Sequence, residues 1–183
     1  MADAADIYEL KVTLRGTKPL IWRRFRVRSD VTLLKLHQIL QTVMGWTDSH
    51  LHQFIVGDTY YGPDDPKLIG VRQDEKKVRL SEILKKPRGR IVYEYDFGDG
   101  WTHDVVLEQV VEFEPGAKYP YVVKGEGACP PEDCGGVQGY YRLLEVLSKP
   151  DHPEHQEMQE WVGDGFSPDA FDRNEVNIKL HGG

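Results

Sequence analysis

The 183-residue chain is predicted to fold as one α+β domain, a mixed β-sheet with hairpins and a helix packed across it. Three patterns predict it. Residues 7–15 and 20–28 alternate apolar and polar on either side of Gly16-Thr17-Lys18-Pro19, which reads as a hairpin. Leu33, Leu36, Ile39, Leu40 and Val43 recur at helical spacing. Residues 91–97 and 101–111 form a second strand pair that reverses at Gly98-Asp99-Gly100, where glycine supplies a positive φ.

The elements follow in order. In the second strand Trp22, Arg24, Arg26 and Arg28 share one face, and Arg23, Phe25 and Val27 the other. Asp30 or Thr32 caps the helix and Gly45 ends it. Leu51–Val56 is a third strand, Tyr60-Tyr61 a short fourth, and Ser81–Leu84 a helical turn. A long Pro/Gly loop, Glu114–Gly136, leads to C-terminal helices around Tyr140–Leu147 and Glu154–Val162. Alternation of Val176, Ile178 and Leu180 predicts a final strand. The order resembles that of β-grasp folds. Residues 1–6 are expected to be a disordered tail and 7–183 a single domain.

Composition narrows the class. The chain is 39% hydrophobic and 10% aromatic, so it can bury a core. A net charge of −7 argues against coating nucleic acid through bulk charge. The charge is divided unevenly, with residues 1–90 at +6 and residues 91–183 at −13. No apolar stretch is long enough for a membrane helix, and the start, Met1-Ala-Asp-Ala-Ala-Asp6, has no signal-peptide pattern. A soluble, cytoplasmic protein without a membrane partner is expected.

Four stretches carry candidate chemistry. In Tyr93–Asp104, Asp96, Asp99 and His103 lie near one hairpin end beside Trp101, where they can exchange protons or hold a metal. Asp99 serving the turn and His103 a cross-strand hydrogen bond is the plainer alternative. His50 and His52 form an H-x-H pair whose period-two spacing places both imidazoles on one face, suited to zinc or another divalent metal with His103, Asp96 or a cysteine as third ligand. Surface histidines at a strand edge are the alternative.

Cys129-Pro-Pro-Glu-Asp-Cys134-Gly135-Gly136 lacks the second cysteine pair of a closed zinc site, leaving mixed Cys/His ligation open. Its double glycine exposes amides at a helix start, while Glu132 and Asp133 count against a phosphate there and can cap the helix. Arg24, Arg26 and Arg28 beside Trp22 suit phosphate or single-stranded nucleic acid, or equally carboxylates. The net charge favours carboxylates, within the chain or on a partner. Walker, Rossmann, nucleophile-elbow and H-E-x-x-H patterns do not occur.

Together, Trp22-Arg23-Arg24, Thr32–Ile39, Met44-Gly45-Trp46, His50–Phe54, Tyr95–Asp99 with Trp101 and His103, and Pro130–Gly136 followed by Gly139-Tyr140 resemble the Ri-plasmid ORF-three-like family, also labelled passenger TnpR proteins of insertion elements. The resemblance spans residues 8–147. It implies an α+β domain of bacteria and archaea, often encoded near mobile elements, without an established activity. Neither Ser29 nor Ser49 lies in the Tyr-x-Arg-x-Ser context of a serine recombinase nucleophile, so the label does not carry resolvase chemistry.

Three functions follow. The first is a binding or interaction domain, associated with mobile elements, whose cleft is built from the Tyr95–His103 hairpin and the Cys129–Gly136 loop and takes a protein partner or an anionic ligand. The second is a metal-dependent, hydrolase-like enzyme whose ligands come from His50, His52, Asp96, Asp99, His103, Cys129 and Cys134. The third is nucleic-acid binding through Arg24, Arg26 and Arg28, which ranks below the others.

Overall fold

Alternating side chains sort the sheet into two unlike faces, and everything else follows from which face is covered. The computed structural model describes residues 5–182, so most of the expected N-terminal tail lies outside the described residues. The strands are β1 (Ile7–Leu14), β2 (Trp22–Arg28), β3 (His52–Val56), β4 (Thr59–Gly62), β5 (Gln73–Asp74), β6 (Arg90–Tyr95), β7 (Trp101–Val111) and β8 (Tyr121–Glu126). They form one sheet in the order β5-β4-β3-β6-β7-β1-β2-β8. Neighbours are antiparallel except β4 and β5. With five helices, this is the α+β domain expected. The likeness to β-grasp stops at element order, because the parallel pair here is peripheral.

One face is apolar. Leu10, Val12 and Leu14 of β1, Phe25 and Val27 of β2, Ile91 and Tyr93 of β6, and Val105 and Leu107 of β7 are fully buried beneath helix α1 (Leu33–Met44). Thr32 caps α1 by accepting from the Lys35 amide, and Gly45 closes it at φ 114° with its N–H on Gln41 O. Arg23 points into this face. Its guanidinium donates to Val43 O and Met44 O at the helix C-terminus, and to Trp22 O and Glu126 O. The negative end of α1 stabilises this cation, although burial lowers its pKa to about 10.

The other face is a charge ladder. Arg15 pairs with Asp104, Arg24 with Glu108, Arg26 with Glu9 and Glu114, and Arg28 with Asp30. The arginine strand is thus internally compensated, by carboxylates from both halves of the chain.

The remaining helices are α2 (Leu80–Ile83), α3 (Gly136–Leu147), α4 (His155–Val162) and α5 (Arg173–Leu180). The final segment is a helix and not the expected strand. Asp172 accepts from the Asn174 and Glu175 amides, and Val176 and Leu180, four apart, pack on the core while Ile178 is exposed. Strand β8 lies inside the expected loop. Its strand pattern is interrupted by Gly125, where a Cβ would meet Arg23, Phe171 and the Trp22 carbonyl within 3 Å. Among the described residues, no helix is long and apolar enough to cross a membrane.

Candidate functional site

The β6–β7 hairpin turns through Asp96–Gly100, and Asp96 sets its shape. Asp96 adopts φ 58°, a left-handed conformation that aspartate tolerates better than most residues. That reversal ends the alternation at Tyr95. Phe97 therefore faces solvent, unlike Tyr93 and Tyr95 with which period two groups it, and the Asp96 side chain turns inward. Its Oδ1 accepts from the Gly98 and Asp99 amides at 3.0 and 3.3 Å, leaving Oδ2 directed at His50 Nε2, 3.5 Å away.

The Cys129–Gly136 loop docks on this hairpin tip. Asp99 Oδ2 accepts from the Gly135 amide at 3.1 Å, and Gly136 lies so close to the Asp99 carbonyl that a Cβ would collide with it. Docking delivers Glu132 and Asp133. Glu132 Oε1 accepts from the Thr47 amide (2.9 Å), the Thr47 hydroxyl (3.1 Å) and the Tyr95 hydroxyl (2.9 Å). Its Oε2 is left 3.8 Å from His50 Nε2, and Asp133 Oδ1 lies 2.9 Å from the same nitrogen. Asp133 also has a left-handed backbone, φ 58°.

His50 Nε2, Asp96 Oδ2, Glu132 Oε2 and Asp133 Oδ1 thus converge. His50 Nε2 and Glu132 Oε2 are buried and lack a hydrogen-bond partner. Ligating atoms of His50, Asp96 and Asp133 lie within 4.8 Å of one another. A borderline nitrogen among hard carboxylate oxygens suits manganese, iron or zinc. Hydrogen bonds accepted by Asp96 Oδ1 and Glu132 Oε1 orient the two carboxylates, as outer-shell hydrogen bonds do in metal sites. A shallow depression lined by His50, Leu51, Lys67, Asp96 and Phe97 opens beside the cluster.

The other candidates fall elsewhere. His52 does not share a cluster with His50. Its Nε2 meets Glu75 at 2.8 Å, and its ring stacks on His37 at 3.5 Å between centroids. The H-x-H pair is split because His50 precedes β3 in a loop whereas His52 opens the strand. His103 is fully buried with both nitrogens engaged, Nε2 accepting from Trp46 Nε1–H at 3.2 Å and Nδ1 on Tyr93 O at 3.1 Å. Burial lowers its pKa to about 4, which keeps the ring neutral. Trp101 is fully buried against Trp46.

Cys129 and Cys134 are free thiols and belong to neither His/Asp group found among the described residues. Burial raises both, Cys134 to about 12 with Asp99 adding to the effect, so the thiols stay protonated. Trp22, Arg24, Arg26 and Arg28 lie on the charged face of the sheet. Trp22 is covered there by Lys11 at 4.6 Å and Arg24 at 5.2 Å.

A second cluster escaped the sequence reading. His37 Nε2 meets Asp48 Oδ1 at 2.9 Å, His37 Nδ1 meets the Tyr93 hydroxyl at 2.8 Å, and Gln41 Nε2 donates to that hydroxyl at 2.8 Å. His37 and Gln41 are polar residues at inward positions of α1, and that mismatch with helical period was the available signal.

Three comparisons bear on this arrangement. The chain is 38% identical over 160 residues to the uncharacterized protein y4hQ of Sinorhizobium fredii, covering 87% of this chain and 82% of that one. A crystal structure of MM3350 from Methanosarcina mazei, a protein of unknown function, matches with TM-score 0.85 and 38% identity over 94% of this chain and 98% of that chain. The family described as plasmid pRiA4b ORF-3-like protein matches residues 6–175, which contain every residue of both clusters. The chain belongs to the plasmid pRiA4b ORF-3-like family.

Proposed function

We propose that this domain is a binding module whose working centre is a divalent metal ion held by His50, Asp96, Glu132 and Asp133. One observation carries the reading: His50 Nε2 and Glu132 Oε2 are buried 3.8 Å apart and neither makes a hydrogen bond, the nitrogen having only ion-pair contacts with carboxylates, of which Asp133 at 2.9 Å is the shortest. Each such atom costs about 1–3 kcal/mol unless something satisfies it, and a cation between them satisfies both. Three converging carboxylates are likewise relieved by positive charge.

The test is metal content of untagged protein and calorimetric titration with Mn²⁺ and Zn²⁺. One ion per chain is expected, with affinity falling more than about tenfold in Asp96→Asn and His50→Ala. No stoichiometric binding, or unchanged affinity in both variants, removes the proposal.

The depression beside the cluster favours a hydrolytic extension of this reading. A metal held by these residues would have one side open to water and would lower the pKa of a water bound there. Metal-dependent hydrolysis of p-nitrophenyl phosphate, absent in Asp96→Asn, tests that extension. A protein or anionic partner at the same centre is the remaining form of the binding reading, and a mobile-element setting accords with the plasmid in the family's description. Nucleic-acid contact through Arg24, Arg26 and Arg28 has less support, since each is already paired with a carboxylate.

A further inference from the structure

The densest run of positive charge outside the arginine strand is residues 76–90. Residues 76–90 contain seven Lys/Arg and one Glu. The segment wraps α2, and its apolar residues turn inward: Leu80 and Leu84 are buried, Val78 and Ile83 pack against the core. Its cations face solvent. Lys76, Arg79, Lys85, Lys86 and Arg88 are all exposed. None of these five makes an ion pair among the described residues. Arg79 lies near Asp30, but Asp30 already takes a two-pronged contact from Arg28. Lys77 and Arg90 have only long contacts, to Asp74 at 3.6 Å and Asp104 at 3.8 Å.

We infer that this flank is a docking surface for a nucleic-acid phosphate backbone. The inference is independent of the metal reading, since it uses none of the same residues. Two features favour a phosphodiester chain over an acidic protein. Protein interfaces draw their affinity from apolar or aromatic anchors in desolvated pockets, whereas Val78, Leu80, Ile83 and Leu84 of this segment are turned toward the core. Phosphate backbones, by contrast, are bound by charge through release of counterions. The net charge of −7 does not prevent this, because charges more than about 8 Å away are screened at physiological salt. The contact is expected to position a nucleic acid without reading its sequence.

The probe is a fluorescently labelled 20-bp DNA duplex of arbitrary sequence, followed by anisotropy with the full chain at several salt concentrations. Five phosphate contacts predict a log–log salt slope near about −4.5. The double variant Lys85→Glu/Lys86→Glu, whose side chains are exposed, is expected to bind at least tenfold more weakly while its circular dichroism is unchanged. Arg24→Ala is expected to bind like the parent, which separates this flank from the arginine strand. Absence of binding at 50 mM salt, or binding unaffected by the double variant, overturns the inference. So does equal binding of a poly-glutamate peptide in competition, which assigns the flank to acidic proteins.

Discussion

Two His/Asp clusters flank the same five residues, Asp48 to His52, and they are built on opposite terms. Around His37 and His52 every contact is closed: Asp48, Glu75, Tyr93 and Gln41 supply hydrogen bonds, and the two rings stack with their planes 6° apart. Around His50 the contacts are carboxylates at 2.9 to 3.8 Å from Nε2, and that nitrogen and Glu132 Oε2 are buried without a hydrogen bond. Both bring His and Asp ligand atoms within 4.8 Å of one another, so proximity cannot tell them apart. Satisfaction of polar atoms can. The first cluster holds the helix, the strand and Glu75 together; the second leaves a buried nitrogen and a buried carboxylate oxygen without a hydrogen bond.

Breaking the comparison begins with the largest effect. His52→Ala removes the partner of Glu75, a carboxylate only 1% exposed, and is expected to lower the unfolding free energy by about 3–5 kcal/mol. His50→Ala, measured in chelator-treated protein by the same urea titration, is expected to lower it by less than about 1 kcal/mol, since it removes no hydrogen bond and only a contact with the exposed Asp133 carboxylate. Equal losses in the two variants would erase the distinction between them.

The next effect is a pH profile. Burial holds His103 at about 4 in the folded state, below the ordinary histidine value of 6.5. The unfolded chain therefore takes up a proton before the folded one does. Stability from this residue is complete above pH 6.5 and declines as pH falls toward 4, by about 3 kcal/mol in total. Lowering of His37 by burial and by His52 acts in the same direction. Urea midpoints across pH 7 to 4 should fall, and His103→Gln should flatten the slope by up to about 1.4 kcal/mol per pH unit. An unchanged slope would show that the ring titrates freely.

The smallest effect sharpens the contrast from the charged face. Arg24→Ala breaks a pair whose side chains are 28% and 29% exposed, so a loss of only about 0.2–1 kcal/mol is expected, shrinking further in 0.5 M salt. A loss as large as that of His52→Ala would mean the ladder carries the fold.

How much of this was legible in the sequence depends on whether a signal is local. Alternation located β1, β2, β6 and β7, and helical period located α1, because each pattern is complete within its own segment. Strand β8 was hidden because Gly125 is there for Arg23 and Phe171, residues far away in sequence. The candidate site divides in the same manner. His50, Asp96, Glu132 and Asp133 were each singled out, but their grouping was not, since it depends on two left-handed aspartates and on a loop docking across Gly136. His103 had two readings, and the cross-strand hydrogen bond is the one present, to Tyr93 O. A histidine in an alternating strand looks the same whether its inward nitrogen meets Trp46 or a ligand.

The end of the sheet holds one more consequence. On the outer side of β8, Asn177 of α5 accepts from the Val122 amide at 2.6 Å and donates to the Val122 carbonyl at 3.1 Å, and Arg173 donates to Val123 O. A side-chain amide thus presents to the strand the same donor and acceptor that another strand would. The helix imitates a ninth strand and terminates the sheet. Displacing it would free the Val122 amide and carbonyl and the Val123 carbonyl, an edge to which a strand of another molecule could add.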